Sequence, residues 1–562
     1  MSFPWKRRKS RKNAFIILLV IFWLTVNTPS AVRGSPDMEV RMEQVAQWTR
    51  FEAQFTSSAD YENPVQDVQI EVDFTSPNGK KQTIFGFWDG GRTWKARFSP
   101  DETGKWKYSS RCLRQEDSGL NNQAGEFTCV PYTGDNLLYR RGAIRLSENR
   151  RYLVHSDGTP FFWLSDTAWN GALLSDARGW KTYLSDRIAK GFTAIQFVTT
   201  QWRAATGDAD GRLAFTGKDK IQINPEFYQR MDRRVDTLNE LGLVASPVLL
   251  WSCTSGFDPG LILPDDQLII LAQYMVGRYG AHQVIWMLGG DGNYQAEKAE
   301  RWKKIGRAVF GDNPTRLATM HPQGLQWIAD EFRNENWFSF NGYQSGHGDS
   351  DKNLRWLCEG PPSQDWKKEP HVPEINLEPN YEGHKAYQSK KPHDAHAVRR
   401  ASYWSLLVSP PAGVTYGVHG IWSWESEPKE PMGHKGAGIA PAWDEAMKLP
   451  GSMSMKHLES LFSSIEWWNL LPAQELLVEQ PGASDPHKFV VAAKATDSTW
   501  AILYIPEGTS VTLHIEKLKK LSLVRWFNPR TGQWSETYQI SKDSGTFTPE
   551  DNNDWILWIG MN

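Results

Sequence analysis

The sequence predicts an α/β protein: a central (β/α)8 TIM barrel with a β-sandwich domain before it and another after it. Three observations carry that expectation. Between residues 152 and 468 apolar runs alternate with helical stretches that bear charged faces, and eight such runs can be counted. Outside that region short runs alternate apolar with polar residues between turn residues. The chain has 562 residues, too many for one ordinary core at roughly 150 residues per domain. The expected units are a leader over residues 1–35, a sandwich over 36–135, the barrel over 146–467 and a second sandwich over 468–562.

The leader has six basic residues between Lys6 and Lys12, then an apolar run over 14–26, then small and polar residues. That is the layout of an export signal. The run is short for a full membrane span, so cleavage between Ser30 and Ser35 is expected, with an uncleaved anchor as the alternative. The expected location is therefore extracellular or periplasmic, without stable membrane insertion after cleavage. A net charge of −2 and a pI near 6.7 provide no field for nucleic acid, which is excluded as a partner.

In the first sandwich, short alternating runs occupy residues 68–74, 83–90 and 94–100. Phe87, Trp88, Trp94 and Trp106 sit at alternate strand positions and are read as core rather than as a binding face. The chain has four Cys, whose spacing matches no zinc motif. Export would permit Cys112 and Cys129 to bridge neighbouring strands, and Cys253 and Cys358 are expected to be buried thiols. The 28 Trp are mostly core material, although so many indoles also suit a protein that stacks against sugar rings.

The eight barrel runs lie at residues 160–169, 194–200, 243–251, 284–294, 316–322, 337–347, 373–382 and 414–424. Helices are expected near 178–190, 225–241 and 296–309. A doubly wound sheet is the competing topology, but no GxGxxG or phosphate loop accompanies any run. After the barrel, runs at 488–495, 500–506, 510–515, 523–534 and 554–560 predict the second sandwich. Its turn through Pro529 and Gly532 is expected to carry Arg530 as a solvated tip.

Chemistry in a barrel gathers at the C-terminal ends of the strands. There the sequence places Asp166 and Trp169, Gln196, Trp251, Asp291, His321, Gln344 and His347, Glu378 and Tyr381, then His419, Trp422 and Trp424. Amides and imidazoles bond hydroxyls, and indoles cover C–H faces, so the rim suits a sugar. Glycoside hydrolysis needs one protonated and one ionised carboxyl group. Asp291 and Glu378 are the best pair, each following an apolar run and preceding a sharp break, from strands four and seven on opposite sides of the mouth. The competing readings are that Asp291 caps the next helix and that Glu378 pairs with Arg399 or Arg400. The substrate-binding candidates are Asp166, Trp169, Gln196, Trp251, His321, Gln344, Tyr381, His419 and Trp422, with Asp166 positioning or binding rather than transferring a proton. His321, His347 and His419 lack the short paired spacing of a zinc site, so no metal or cofactor is expected. The absence of a GxSxG elbow disfavours a serine triad.

The segments PFFWLSDTAWN, VIWMLGGDGN, ATMHPQG, FSFNGYQSGH, NLEPNYEGH and VRRASYWSLLVSPPAGVTYGVHGIW occur in this order. Over residues 146–470 the chain resembles the apiosidase-like barrel of glycoside hydrolase family 140. The first sandwich resembles a domain of unknown function found ahead of such barrels, and the last resembles a module labelled collagen-binding. The resemblance implies exo-cleavage of apiose from plant pectic side chains, with Asp291 as general acid/base and Glu378 as nucleophile. The loops over 201–224 and 425–442 are expected to reshape the pocket. A carbohydrate-binding or matrix-adhesion protein on an idle barrel is the alternative from another class, and two intact carboxylates argue against it.

Overall fold

The computed structural model describes residues 43–254, 256–312, 314–519, 522–540 and 545–561. The export signal expected over residues 1–35 lies outside the described residues. Among those described, no helix is long and apolar enough to cross a membrane.

Eight parallel strands form the central sheet: β1 Trp163–Thr167, β2 Ala194–Val198, β3 Val244–Trp251, β4 Trp286–Gly292, β5 Ala318–Pro322, β6 Asn341–Tyr343, β7 Glu374–Asn376 and β8 Gly413–Tyr416. Their order is β5-β4-β3-β2-β1-β8-β7-β6, and β5 meets the approach to β6 through a parallel bridge between Ala318 and Phe338. The seam is completed by a side chain. The Thr319 hydroxyl donates to the Phe340 carbonyl at 2.6 Å and accepts from the Gly342 N–H at 3.1 Å. All residues of the eight strands are buried apart from Asp291, which explains their near-continuous apolar character: both faces are covered.

The helices follow the strands with ordinary signals. Pro225–Glu240 starts at Asn224, whose side chain accepts from the Glu226 N–H, with Pro225 in the first turn. Phe227, Met231, Val235 and Leu238 recur at helical spacing and are buried. After β5 only the single turn Ala329–Phe332 replaces a full helix.

The first sandwich stacks a five-stranded sheet on a three-stranded one. Phe74 on Phe98 (4.2 Å between ring centres) and Phe51 on Phe127 (4.1 Å) fill the space between them. Phe87, Trp94 and Trp106 are buried, and Trp88 is half-buried. Cys112 and Cys129 are free thiols. The strands Gly104–Cys112 and Ala124–Val130 do pair, but their antiparallel register sets Cys129 opposite Gly104, while Cys112, at the other end of its strand, faces Ile70. Among the described residues of the C-terminal unit, a seven-stranded sheet is accompanied by a two-stranded ribbon, Val511–Thr512 with Thr546–Phe547, rather than by a full second sheet. Arg530 is no solvated tip: it pairs with Asp551 at 3.0 Å and lies over the Trp555 ring.

Both flanking units are fastened to the barrel by buried charge. Arg97 of the first sandwich reaches Asp232 at 2.8 Å, and Arg278 binds the same carboxylate at 2.7 Å while also bonding Asp89 at 2.9 Å. On the other side Arg399 makes a two-pronged contact with Asp554, at 2.7 and 2.9 Å. Burial alone would raise the Asp232 carboxyl, but the two guanidinium groups outweigh it and hold the group well below the usual carboxylate range.

Removing one member of such a network leaves buried charge unmatched. Asp232→Asn is expected to cost about 3–5 kcal/mol, read as a lowered unfolding midpoint. Because the folded-state pKa is depressed, the Asp232 contribution is full above the ordinary carboxylate range and fades as pH falls below it. The variant should therefore show a smaller loss of stability on acidification than the native chain.

Candidate active site

The C-terminal ends of the strands open into a cavity of about 250 Å³. Asp291 and Glu378 both line it, from the ends of β4 and β7.

Asp291 stands on an unusual piece of backbone. Its φ is +48°, a left-handed conformation that costs a non-glycine residue of order 1 kcal/mol and that Asp tolerates better than most. Pairing between β4 and β5 loses its regular register over the same residues. The neighbouring glycines do not make this turn. A Cβ on Gly290 would fall 2.5 Å from the Trp251 ring, and one on Gly289 or Gly292 would fall 2.5 Å from Tyr294. They are small so that two aromatic rings can lie against the strand. Asp291 caps no helix, since Glu297–Phe310 begins at Ala296.

The Asp291 side chain keeps 18% exposure, with Arg203 Nη2 3.7 Å from Oδ2. Burial, reinforced by the charge of Glu378 and opposed by Arg203, pushes its carboxyl up to about 6. The Cys253 thiol beside it is pushed up to about 12 by burial and by the Asp291 charge.

Glu378 goes the other way. Burial favours its neutral form, but His347 Nε2 at 2.9 Å and His321 Nε2 at 3.3 Å outweigh that and hold the carboxyl well below its usual range. The Tyr381 N–H points at His347 Nδ1 (3.4 Å), making Nδ1 the acceptor and leaving the proton on Nε2 to donate to the carboxylate. The backbone of Glu378 is also tied: its N–H donates to Asn376 Oδ1 and its carbonyl accepts from Gly346. Pairing with arginine is ruled out by geometry, because Arg399 is committed to Asp554 and Arg400 lies over Trp404.

Of the other sequence candidates, Trp169, Trp251, Gln344, Tyr381 and Trp422 line the cavity. Trp169 Nε1 donates to the Tyr381 hydroxyl at 3.1 Å, and Trp169 and Trp202 flank Trp251 at 5.1 and 4.4 Å. Asp166, Gln196, His321 and His419 do not line it. Asp166 is fully buried against Arg187 and the Tyr183 hydroxyl, one layer below the rim. Gln196 donates to the Leu377 carbonyl at 2.8 Å, bracing the residue before Glu378. His321 stands edge-on to Trp169 behind the carboxylate, and His419 accepts from Trp422 Nε1 at 3.2 Å and contacts the Gly438 carbonyl. Each acts through a neighbour. Glu382, the second acid of NLEPNYE, caps Pro450–Ser463 by accepting from the Gly451 N–H and the Tyr416 hydroxyl.

The remaining wall was missing from the sequence candidates. Trp202 and Arg203 come from the loop after β2, and His434 from the loop after β8. Arg203 Nη1 donates to the Gly433 carbonyl at 2.6 Å and lies 3.4 Å from His434 Nδ1. His434 Nε2 is 2.9 Å from His384 Nε2, and His384 Nδ1 is 2.8 Å from the Lys385 carbonyl. Only a proton on His384 Nδ1 suits that carbonyl, so His434 Nε2 must be the donor and its Nδ1 the acceptor facing Arg203. Burial lowers both imidazoles, His434 to about 3, so the clasp is neutral apart from the arginine. Long loops signalled this region in the sequence, but nothing there showed that they meet. Among the described residues no group of three or more His, Cys, Asp or Glu is placed to hold a metal ion.

Residues 147–469 match the family profile "Apiosidase-like, catalytic domain". Residues 44–112 match a domain of unknown function, DUF5060, and residues 471–560 match the "Putative collagen-binding domain of a collagenase". Among curated proteins nothing matches. Among solved structures, a "putative glycoside hydrolase" from Bacteroides vulgatus ATCC 8482 is similar at 18% identity, with a TM-score of 0.69 over 92% of this chain and 99% of the other. A glycoside hydrolase family 5 protein from the same strain has 21% identity and a TM-score of 0.66, over 75% of this chain and 94% of its own. A further glycoside hydrolase has 24% identity and a TM-score of 0.65, over 76% and 98%. At these identities the structures speak for a shared fold.

Arg203 favours the ionised form of Asp291 and Glu378 disfavours it. A carboxyl-carbon NMR titration of Asp291 is therefore expected to move to higher pH in Arg203→Gln and to lower pH in Glu378→Gln. No movement in either would mean that the charges do not communicate.

Proposed function

Because this chain belongs to the apiosidase-like family of glycoside hydrolase catalytic domains, we propose that it removes terminal sugar units from plant cell-wall side chains by a retaining two-carboxylate mechanism. The observation that carries the reading is the opposite tuning of two acids in one cavity: Asp291 pushed up, Glu378 held down. Such a split assigns acid and base roles. Asp291, protonated on the acid side of about 6, donates to the departing glycosidic oxygen. Glu378, ionised, attacks the anomeric carbon to form a glycosyl-enzyme. Asp291, now ionised, then takes a proton from water as that water releases the sugar.

The rest of the wall supports the same reading. Trp251 and Trp422 offer indole faces to C–H surfaces, and Gln344 and His384 offer polar groups to hydroxyls. The clasp of Arg203, His434 and His384 favours exo action, because it shortens the cavity at one side to a volume suited to a small unit. Apiose as the sugar, assignment to glycoside hydrolase family 140, and export directed by residues 1–35 belong to this proposal.

Both Asp291→Asn and Glu378→Gln should fold and lose turnover by roughly 10²-fold or more, read as sugar released from pectic and hemicellulosic oligosaccharides. An activated aryl glycoside, which needs little protonation of its leaving group, should recover activity in Asp291→Asn. Azide should restore turnover in the Asp291 variant by attacking the glycosyl-enzyme, giving an azide of retained configuration. Near-normal release of sugar by either variant would overturn the assignment.

A further inference from the structure

We propose a second, non-catalytic glycan-binding site in a cleft of about 450 Å³ between the C-terminal sheet and the end of the last barrel helix. The cleft exists because the sheet outruns the helix that covers it. One sheet face is buried against the barrel: Ala493, Ile502, Tyr504, Phe527 and Ile556 join the barrel core, and Tyr504 stacks on Tyr403 at 4.8 Å. Helix Pro450–Ser463 then ends, and Ser464 and Ile465 form one wall of the cleft. On the same face of Leu523–Asn528 and Trp555–Gly560, by strand alternation, Arg525 and Trp558 stand opposite each other and line the cleft.

The lining is a donor-rich aromatic surface. Trp534 and Trp558 are each half-buried. The Arg525 guanidinium lies 4.5 Å from the centre of the Trp534 ring, where it is held by cation–π attraction. Its Nε is buried without a hydrogen-bond partner, and among the described residues no carboxylate pairs with it. With no carboxylate to match its charge, the guanidinium that lines the cleft can make a charge-assisted bond to a ligand oxygen there. Thr537 adds a hydroxyl at the mouth. The half-exposed Trp558 indole, beside the Arg525 guanidinium held over Trp534 and the Thr537 hydroxyl, suits a sugar ring, whose C–H face covers the indole while its oxygens accept. A glycosidase with a second hold on its polymer also gains effective concentration at the cutting site. This hold requires no catalysis, so it stands or falls apart from the roles given to Asp291 and Glu378.

The test uses the full chain carrying Glu378→Gln, run in native gels that contain galactomannan, xylan or polygalacturonate. Retardation is expected in at least one gel. It should weaken by roughly fivefold or more in Trp534→Ala and in Arg525→Ala, less in Trp534→Phe, and persist in the cavity variant Trp422→Ala. Retardation by polygalacturonate alone would mean that Arg525 reads a carboxylate, and retardation by the neutral polymers that the indoles suffice. The proposal is overturned by no retardation in any gel, by retardation insensitive to the Trp534 and Arg525 variants, or by binding to gelatin alone.

Discussion

The site depends on keeping one buried carboxylate charged. Taking a carboxylate from water into a barrel mouth costs several kcal/mol unless donors replace the water. For Glu378 the donor is His347, and the His321 imidazole stands against the same carboxylate at 3.3 Å. These three residues come from the ends of β5, β6 and β7, consecutive in the chain and neighbours in the barrel. The register of three strands therefore sets the charge, and the Thr319 hydroxyl that completes the β5–β6 seam is part of that register. A one-residue slip would turn His321 to the other face. Once Glu378 is fixed as an anion, the upward shift of the Asp291 carboxyl follows from burial and from that neighbouring charge.

The barrel was legible in the sequence because strands covered on both faces leave a strong mark: eight apolar runs separated by polar stretches, each matched by a strand. The paired acids were legible because an acid that closes an apolar run is rare. The sequence does not show what the glycines around Asp291 do, since a glycine that makes room for a ring looks the same there as one that makes a turn. Asp166, Gln196 and His321 lie inside their strands, whereas Trp169 and Gln344 follow the last strand residue and line the cavity, and a sequence does not mark where a strand ends to within a residue or two. Arg203, His384 and His434 were beyond reach for a simpler reason. Their meeting depends on how three loops, after β2, β7 and β8, fold together, and loop packing leaves no period to count.

The flanking units are not separate beads. Phe87 of the first sandwich and Ala493, Ile502 and Ile556 of the last share one continuous apolar core with the barrel, and buried ion pairs add direction to both junctions. Charge pairs of this kind add less net stability than packing of the same volume would, but they tolerate only one docking geometry. The cleft beneath Trp534 and Trp558 is a product of that geometry, because its shape is the gap left where the fixed sheet passes the end of a fixed helix.

The strap in which Arg203 grasps the carbonyl of Gly433 joins two loops that lie 230 positions apart in the chain. They were inserted at opposite ends of the barrel's succession, yet they wall the same corner. Shortening, lengthening or exchanging either loop alone would strand the Arg203 guanidinium beside Asp291. Evolution of a new sugar preference on this scaffold is therefore a two-locus problem, in which the loops after β2 and β8 must change in concert. A protein engineer who wishes to transplant the preference has to move both.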